Sequence, residues 1–537
     1  MPDSGNADLV ILGGNIITLD PANARAQAVA VKFGRVLAVG QDDEIRQLVG
    51  SNTRVVDASG ITIIPGLNDA HCHVLPTGRS HLLVNCGPDA VSSLAEIKML
   101  IAEKTRSTPK GEWIVGFGYD DTKMAENWYL NRADLDEVAT EHPVLVRHVG
   151  GHMSTTNSVG LRMADLTRDS ADPVGGKYGR DPASGELNGV IYETAQGIFH
   201  RGSNPLIPRP TPEQDREAIR WVCSQAASIG LTSFTDAFVD PLGFASYQAA
   251  LASGDLTIRT YLLLGVDFLD SFISAGLRTG LGNEMLRVGA IKIVGDGAIA
   301  GRTAYLSEPY EGTTDDYGIL AIAADVLEER VMIAHKAGFQ VAVHANGDRI
   351  INMTLDAYEK ALRAYPREDH RHRLEHGTVV NPEILARMKR LGVAVLPFGS
   401  YIYYHGEKMR FYGEKRLSMM FAHRSFLDYG ILVGGSSDHQ CAPWPPLAGI
   451  QSCVTRKGHT GELLGPEQRV TPEEALWIYT RGSAHTSFEE SIKGSVEVGK
   501  LADLVFLGED LTQVDPEAIK DIPVTATMVG GTFVYET

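Results

Sequence analysis

This sequence predicts an α/β fold: a TIM-type (β/α)8 barrel, with a small β-sandwich domain built from both termini and a subdomain inserted after barrel strand 1. Three observations predict it. From Leu67 onward, short apolar strands alternate with amphipathic helical stretches, the rhythm of parallel β/α units. Both ends of the chain consist instead of short β-branched runs separated by Gly, Asp and Asn. Between the first barrel strand and the second lie about 160 residues, far too many for a single crossover.

At the N-terminus the β runs are ADLVILGG, NIITLD, AQAVAVKFGRVLAVG and TRVVDASGITIIPG. At the C-terminus GSVEVGKLADLVFLGED and VTATMVGGTFVYET have the same style. Residues 1–64 and 489–537 are therefore expected to form one composite β domain flanking a barrel at 65–488. Counting ITIIPGL (61–67) as the first strand, the others are 231–239, 258–266, 288–296, 339–346, 372–378, 392–399 and 431–438, eight in all. Helices are predicted over 213–229, 323–336, 349–365 and 382–391, the second with Val326, Leu327, Val331 and Ile333 on its packed face. The insert, roughly 80–210, carries the turn-rich DPVGGKYGRDPASGELNG and strand candidates EWIVGFGYD and PVLVRHVGG. An insert above the barrel mouth would act as a substrate wall or lid.

Bulk properties exclude several classes. With 43% hydrophobic and 22% charged residues, the 537-residue chain has ample apolar material for a large core. Lys plus Arg number 49 against 67 Asp plus Glu, and a net charge of −18 argues against a nucleic-acid partner. No apolar run is long enough to span a membrane. The start, MPDSGNADLVILGG, has acids where an export signal needs bases, so a cytoplasmic protein is expected. Five scattered cysteines without a CxxC read as free thiols of a reducing compartment.

The strongest local signal is NDAHCHV. On a strand, residues i and i+2 share a side, so His71 and His73 can reach one cation, while Cys72 points away. Imidazole nitrogen suits zinc and similar transition metals. Alone the pair is weak, because 17 histidines yield about half a His-x-His by chance. His370-Arg371-His372 is such a chance pair, and its charged setting, PREDHRH, reads as solvated surface. Position strengthens the case. His344 closes QVAVHAN, His376 ends RLEHG, Asp438 ends LVGGSSD, and Lys292 lies in AIKIVGDG near Asp296. All fall at or near C-terminal strand ends, where such barrels place catalytic groups. Singly, a histidine there is usually structural and an aspartate usually caps a helix. A lysine within an apolar strand is harder to explain, since an ammonium is expensive to bury unless paired or modified.

These motifs, with the insert segments LVRHVGGHMSTTNSVGL and GELNGVIYETA, then IKIVGDGAIAGRTA, VAVHANGDR and KGSVEVGKLADLVFL, resemble the amidohydrolase superfamily. Within it the chain is most similar to the amidohydrolase-3 branch of YtcJ-like enzymes, which includes N-substituted formamide deformylases. The resemblance implies that His71, His73 and Asp438 hold one metal, that His344 and His376 hold a second, and that Lys292 bridges both as an N-carboxylated lysine. An unmodified Lys292 would leave a single metal on His71, His73, His344 and Asp438. Zn2+ is the expected ion, with other divalent transition metals able to use the same ligands. The family also implies a homodimer as the assembly to test.

The expected reaction is hydrolysis of a non-peptide C–N bond, in an amide, N-substituted formamide, urea or carbamate, by metal-bound hydroxide. Asp438 would take the proton of the nucleophile and deliver it to the leaving nitrogen, and His376 or a metal would stabilise the oxyanion. The alternative is a deaminase of an amidine-like or heterocyclic substrate, which the presence of Lys292 disfavours. A non-catalytic barrel should have lost ligands, and none is missing. Weaker expectations concern a small-molecule pocket. Arg302 could clamp substrate or pair with Asp296 or Glu308. His152 could reach in from the insert. Trp128, Tyr403, Tyr404 and Trp444 are candidate walls. HANGDR lacks the context of a nucleotide-binding loop.

Overall fold

The computed structural model describes residues 5–126, 129–149, 153–173, 176–200 and 205–537. The chain forms two compact units, Met1–Leu75 with Val222–Thr537, and Pro76–Trp221.

The first unit contains the barrel. Seven parallel strands follow one another in ring order: β1 (Leu67–Cys72), β2 (Leu231–Val239), β3 (Arg259–Gly265), β4 (Leu286–Val294), β5 (Gln340–Ala345), β6 (Arg373–His376) and β7 (Ala394–Leu396). Each is almost wholly buried, as parallel strands covered on both faces must be. The predicted eighth strand, 431–438, closes the ring without a regular ladder. It makes parallel bridges Val395–Val433 and Phe398–Ser436 to one side. On the other side, Ala70 N donates to Gly435 O at 2.8 Å and Asp438 N to His71 O at 2.9 Å. Gly435 permits this course, because a Cβ there would lie 2.6 Å from the Tyr479 ring.

The first strand differs from expectation. Thr62–Pro65 pairs antiparallel with Leu504–Leu507 in a terminal sheet, and the barrel strand begins only at Leu67. At Gly66 a Cβ would collide with the Thr232 side chain, so the chain passes from sheet to barrel where no side chain fits. Helices α1 (Pro241–Ser253), α2 (Leu269–Ser274), α3 (Ala324–Lys336), α4 (Asp348–Ala364) and α5 (Pro382–Leu391) connect successive strands. Asn381 caps α5 through the N–H of Ile384, and Gly392 ends it at φ +69°. On α3 the buried face is Leu327, Val331, Ala334 and His335; Val326 is exposed, a correction of about one helical step.

The two ends of the chain build two further sheets. One has Arg35–Gly40, Ala28–Lys32, Leu9–Leu12 and Arg54–Asp57 in order. The other orders Thr532–Glu536, Val524–Val529, Leu504–Leu507, Thr62–Pro65, Asn15–Ile17 and Arg25–Ala26, mixing both termini. Their shared core includes Ile11, Val29, Ile63, Leu504, Phe506 and Met528.

In the second unit, the predicted strands appear as Ile114–Tyr119 and Val144–His148 within a six-stranded sheet. Helix Leu94–Ser107 buries Leu94, Ile97 and Ile101 and is capped by Ser93.

Candidate active site

The parallel register brings together side chains that are far apart in sequence. Val294 on β4 lies beside His344 on β5, and His344 beside Glu375 on β6. Ala345 pairs with His376, so the histidines of β5 and β6 lie one residue apart in register. The closing segment delivers Asp438 next to β1, where its N–H bonds to His71 O. Near the C-terminal ends of β2, β6 and the closing segment the chain leaves ordinary extended backbone: φ is +65° at Phe238, +74° at His376 and +52° at Asp438. Left-handed backbone at non-glycine residues costs about 1–3 kcal/mol each and concentrates at functional sites.

His71, His73 and Asp438 converge most tightly. Their ligand atoms all lie within 4.8 Å of one another. His71 Nε2 and His73 Nε2 each stand 3.3 Å from Asp438 Oδ1. Lys292 Nζ, itself buried, is 3.4 Å from His71 Nε2. His376 joins the two halves. Its ring centroid is 5.1 Å from that of His71, and its Nε2 is 3.1 Å from His344 Nδ1. The His376 ring stacks on Phe398 with centroids 4.1 Å apart. His344 Nε2 meets Gly297 O at 3.1 Å and lies 3.6 Å from Asp296. All six predicted residues, His71, His73, Lys292, His344, His376 and Asp438, thus gather at one end of the barrel.

Burial governs the electrostatics. It drives the Lys292 ammonium down to about 8 against the pull of Glu375 and Asp438. It drives His344 to about 4, helped by the charge of Lys292, and His376 well below the usual histidine value. Burial alone would raise Asp438, but His376, His71 and His73 outweigh it and hold the carboxylate well below its ordinary range. Asp296 rises to about 7 because burial exceeds the effect of three backbone N–H donors, from Asn346, Tyr305 and Gly347.

The other predicted positions divide. Trp128 and His152 lie outside the described residues. Trp444 is buried and stacks on His439, centroids 5.2 Å apart, one residue beyond Asp438. Arg302 pairs with neither Asp296 nor Glu308. Its guanidinium lies over the Phe411 ring at 4.4 Å and 4.0 Å from Asp316, because Asp296 is committed to backbone N–H groups. Tyr404 is exposed, and Cys72 donates to Thr235 O away from the cluster. His370 and His372 are not solvated surface but buried, and Arg371 is largely covered between Asp369 and Glu490. Leu391 O meets His370, the Val341 N–H and the His335 ring meet His372, and His485 O joins the two carboxylates on Arg371, partners that charge patterning alone does not reveal.

The family profile described as the amidohydrolase family matches residues 54–535. This chain belongs to the amidohydrolase family. The amidohydrolase is 30% identical over 540 residues to an N-substituted formamide deformylase of Arthrobacter pascens, covering 98% of each chain. It is equally 30% identical over 537 residues to the putative amidohydrolase YtcJ of Bacillus subtilis, again 98% of each. Among solved structures, an uncharacterized metal-dependent hydrolase from Pyrococcus horikoshii superposes with a TM-score of 0.79 at 24% identity, covering 95% of this chain and 99% of that one. The protein is thus a hydrolase acting on carbon–nitrogen bonds other than peptide bonds.

Sequence reasoning missed several residues of this amidohydrolase site. Glu375, fully buried, lies against His71 Nδ1. Phe238 stacks beside His73 at 6.3 Å, with Lys292 Nζ 5.5 Å from its ring. Asp69 accepts from Ser437 N and rises to about 6 through burial. A carboxylate immediately before His376 in RLEHG was the one visible signal for Glu375.

Proposed function

We propose that the protein hydrolyses an N-substituted amide, with formamides the first class to test, at a metal centre of His71, His73, Asp438, His344 and His376, with Lys292 between them as an N-carboxylated bridge. The observation that carries this reading is the approach of His71 Nε2 and His73 Nε2 to one oxygen of Asp438. The donor set suits a transition metal. Asp438 Oδ1 and His376 Nδ1 are buried without a hydrogen-bond partner among the described residues, an expensive state unless a cation completes it. Imidazole and carboxylate donors favour zinc over magnesium or calcium.

A bound divalent metal would supply carbonyl polarisation and acidify water near neutral pH. Asp438, held as a carboxylate by the surrounding imidazoles, orients the attacking water and takes its proton. It then hands that proton to the leaving nitrogen, which would otherwise depart as a poor amide anion. His376, fixed flat on Phe398, keeps a polar edge toward the reacting carbonyl. Lys292, lowered to about 8 by burial, has a larger free-amine fraction at neutral pH than an ordinary lysine, and the free amine is the form that adds carbon dioxide. Similarity to the Arthrobacter pascens deformylase over the full chain supports formamides as the first substrates to try.

Metal-depleted protein should be inactive, and zinc, manganese or cobalt should restore amine release from a panel of N-substituted formamides, amides and carbamates. If heterocyclic amidines alone react, with release of ammonia, the amide reading is wrong. An added carboxyl group on Lys292, sought by intact mass under carbonate buffer, tests the bridge separately.

A further inference from the structure

Beneath His71 lies a chain of buried groups that the mechanism above does not use. Arg373 and Glu375 on β6 are both inaccessible to solvent. Arg373 Nε donates to Glu375 Oε1 at 2.7 Å and Nη2 donates to Oε2 at 2.9 Å, a two-pronged pair. The same Nη2 donates to Ala70 O at 2.7 Å, immediately before His71. Glu375 Oε2 in turn lies against His71 Nδ1. On the far side of the ring, His71 Nε2 faces Asp438 Oδ1 and Lys292 Nζ.

The backbone is arranged to make this possible. Consecutive residues of a regular strand point to opposite faces. Yet Glu375 contacts the His71 ring edge while His376 packs edge-on against the same ring, centroids 5.1 Å apart. The left-handed φ of +74° at His376 breaks the alternation. A carboxylate gripped by a guanidinium has only acceptors, so the imidazole nitrogen facing it carries the proton. The lone pair is then left on Nε2, directed at the point where Asp438 and Lys292 meet.

We propose that Glu375, held by Arg373, is a positioning residue that fixes His71 as its Nδ1–H tautomer and so sets the metal affinity of the centre. This rests on the metal-centre reading given under Proposed function. It does not place Glu375 in contact with substrate.

Glu375→Gln tests it in the full-length chain. Arg373 needs two acceptors, and a glutamine offers one. Whichever way the amide turns, either the Arg373 fork or the His71 Nδ1–H loses its acceptor. Two measurements apply. Zinc affinity is read by competition with a chromophoric chelator. The tautomer is read from long-range 1H–15N spectra of metal-free, histidine-labelled protein, with His71 identified by its loss in His71→Gln. We expect zinc to bind about 10–100-fold more weakly in Glu375→Gln and wild-type His71 to show the Nδ1–H pattern. A purely structural role would lower the urea midpoint but leave zinc affinity unchanged. Wild-type zinc affinity in Glu375→Gln, or an Nε2–H tautomer in the wild type, overturns the proposal. The wild-type spectrum decides even if the variant fails to fold. If the wild type itself takes up no zinc, the metal-centre reading falls; if it does and the variant matches it, only the positioning role falls.

Discussion

Asp438 and Phe238 illustrate two kinds of side chain at the candidate site. Asp438 is buried, ionised and aimed at two imidazoles, the arrangement of a group that moves protons. Asp438→Asn keeps the shape and removes the basicity. Steady-state kinetics on a responsive substrate should show kcat falling by about 10²–10⁴-fold, with the thermal midpoint little changed. Retention of full activity would remove Asp438 from the mechanism. Phe238 is instead an exposed aromatic, 42% accessible, beside His73 and Lys292. Phe238→Ala should raise KM for substrates with apolar substituents roughly 10-fold, the value of a modest hydrophobic contact, and leave small polar ones nearly unaffected. An equal loss on both kinds would mean that Phe238 supports the fold and does not select substrate.

At the scale of elements, the loops and helices around the barrel carry histidines that must stay neutral. His372 Nδ1 accepts from Val341 N at 3.0 Å, so its proton sits on Nε2, 2.9 Å from His335 Nδ1. His335 Nε2 then meets Tyr365 O at 2.7 Å, and His370 Nε2 meets Leu391 O at 2.7 Å. Burial lowers all three, His372 most, and pushes His423 down to about 3 with Arg456 adding to the effect. The unfolded chain takes up these protons near pH 6.5 while the native chain does not. Stability is therefore full above about pH 6.5 and falls by ~1.4 kcal/mol per pH unit per histidine below it. Urea midpoints should stay level from pH 8 to about pH 6.5 and drop from there to pH 5, less steeply in His370→Gln; a profile flat throughout would contradict the assignment. The sequence placed β5, β6, α4 and α5 nearly where they lie, because their patterns are strong and local. It misread PREDHRH, because the groups that satisfy those buried histidines, the His335 ring, the Val341 N–H and Leu391 O, come from distant parts of the chain.

Across the whole molecule, the terminal sheets are tied to the barrel by a buried ion pair. Arg259 on β3 donates to both oxygens of Asp503, at 2.7 and 2.9 Å, and Asp503 also accepts from Gly530 N. Removing one partner leaves a buried charge uncompensated. Asp503→Ala should cost about 3–5 kcal/mol, read as a lowered denaturation midpoint, whereas an unchanged midpoint would show that the two regions are held by apolar packing alone.

The sequence by itself determined the barrel and the joint β domain of the two ends, and it named six side chains that the fold brings close together. Those follow from periodicity and chain order, which survive without coordinates. Only the tertiary structure decided that Thr62–Pro65 belongs to a terminal sheet, that 431–438 closes the ring by isolated bridges, and that Glu375 stands behind His71. Each of these depends on which distant groups meet, and strand register, backbone φ and burial set those meetings only when the chain is folded.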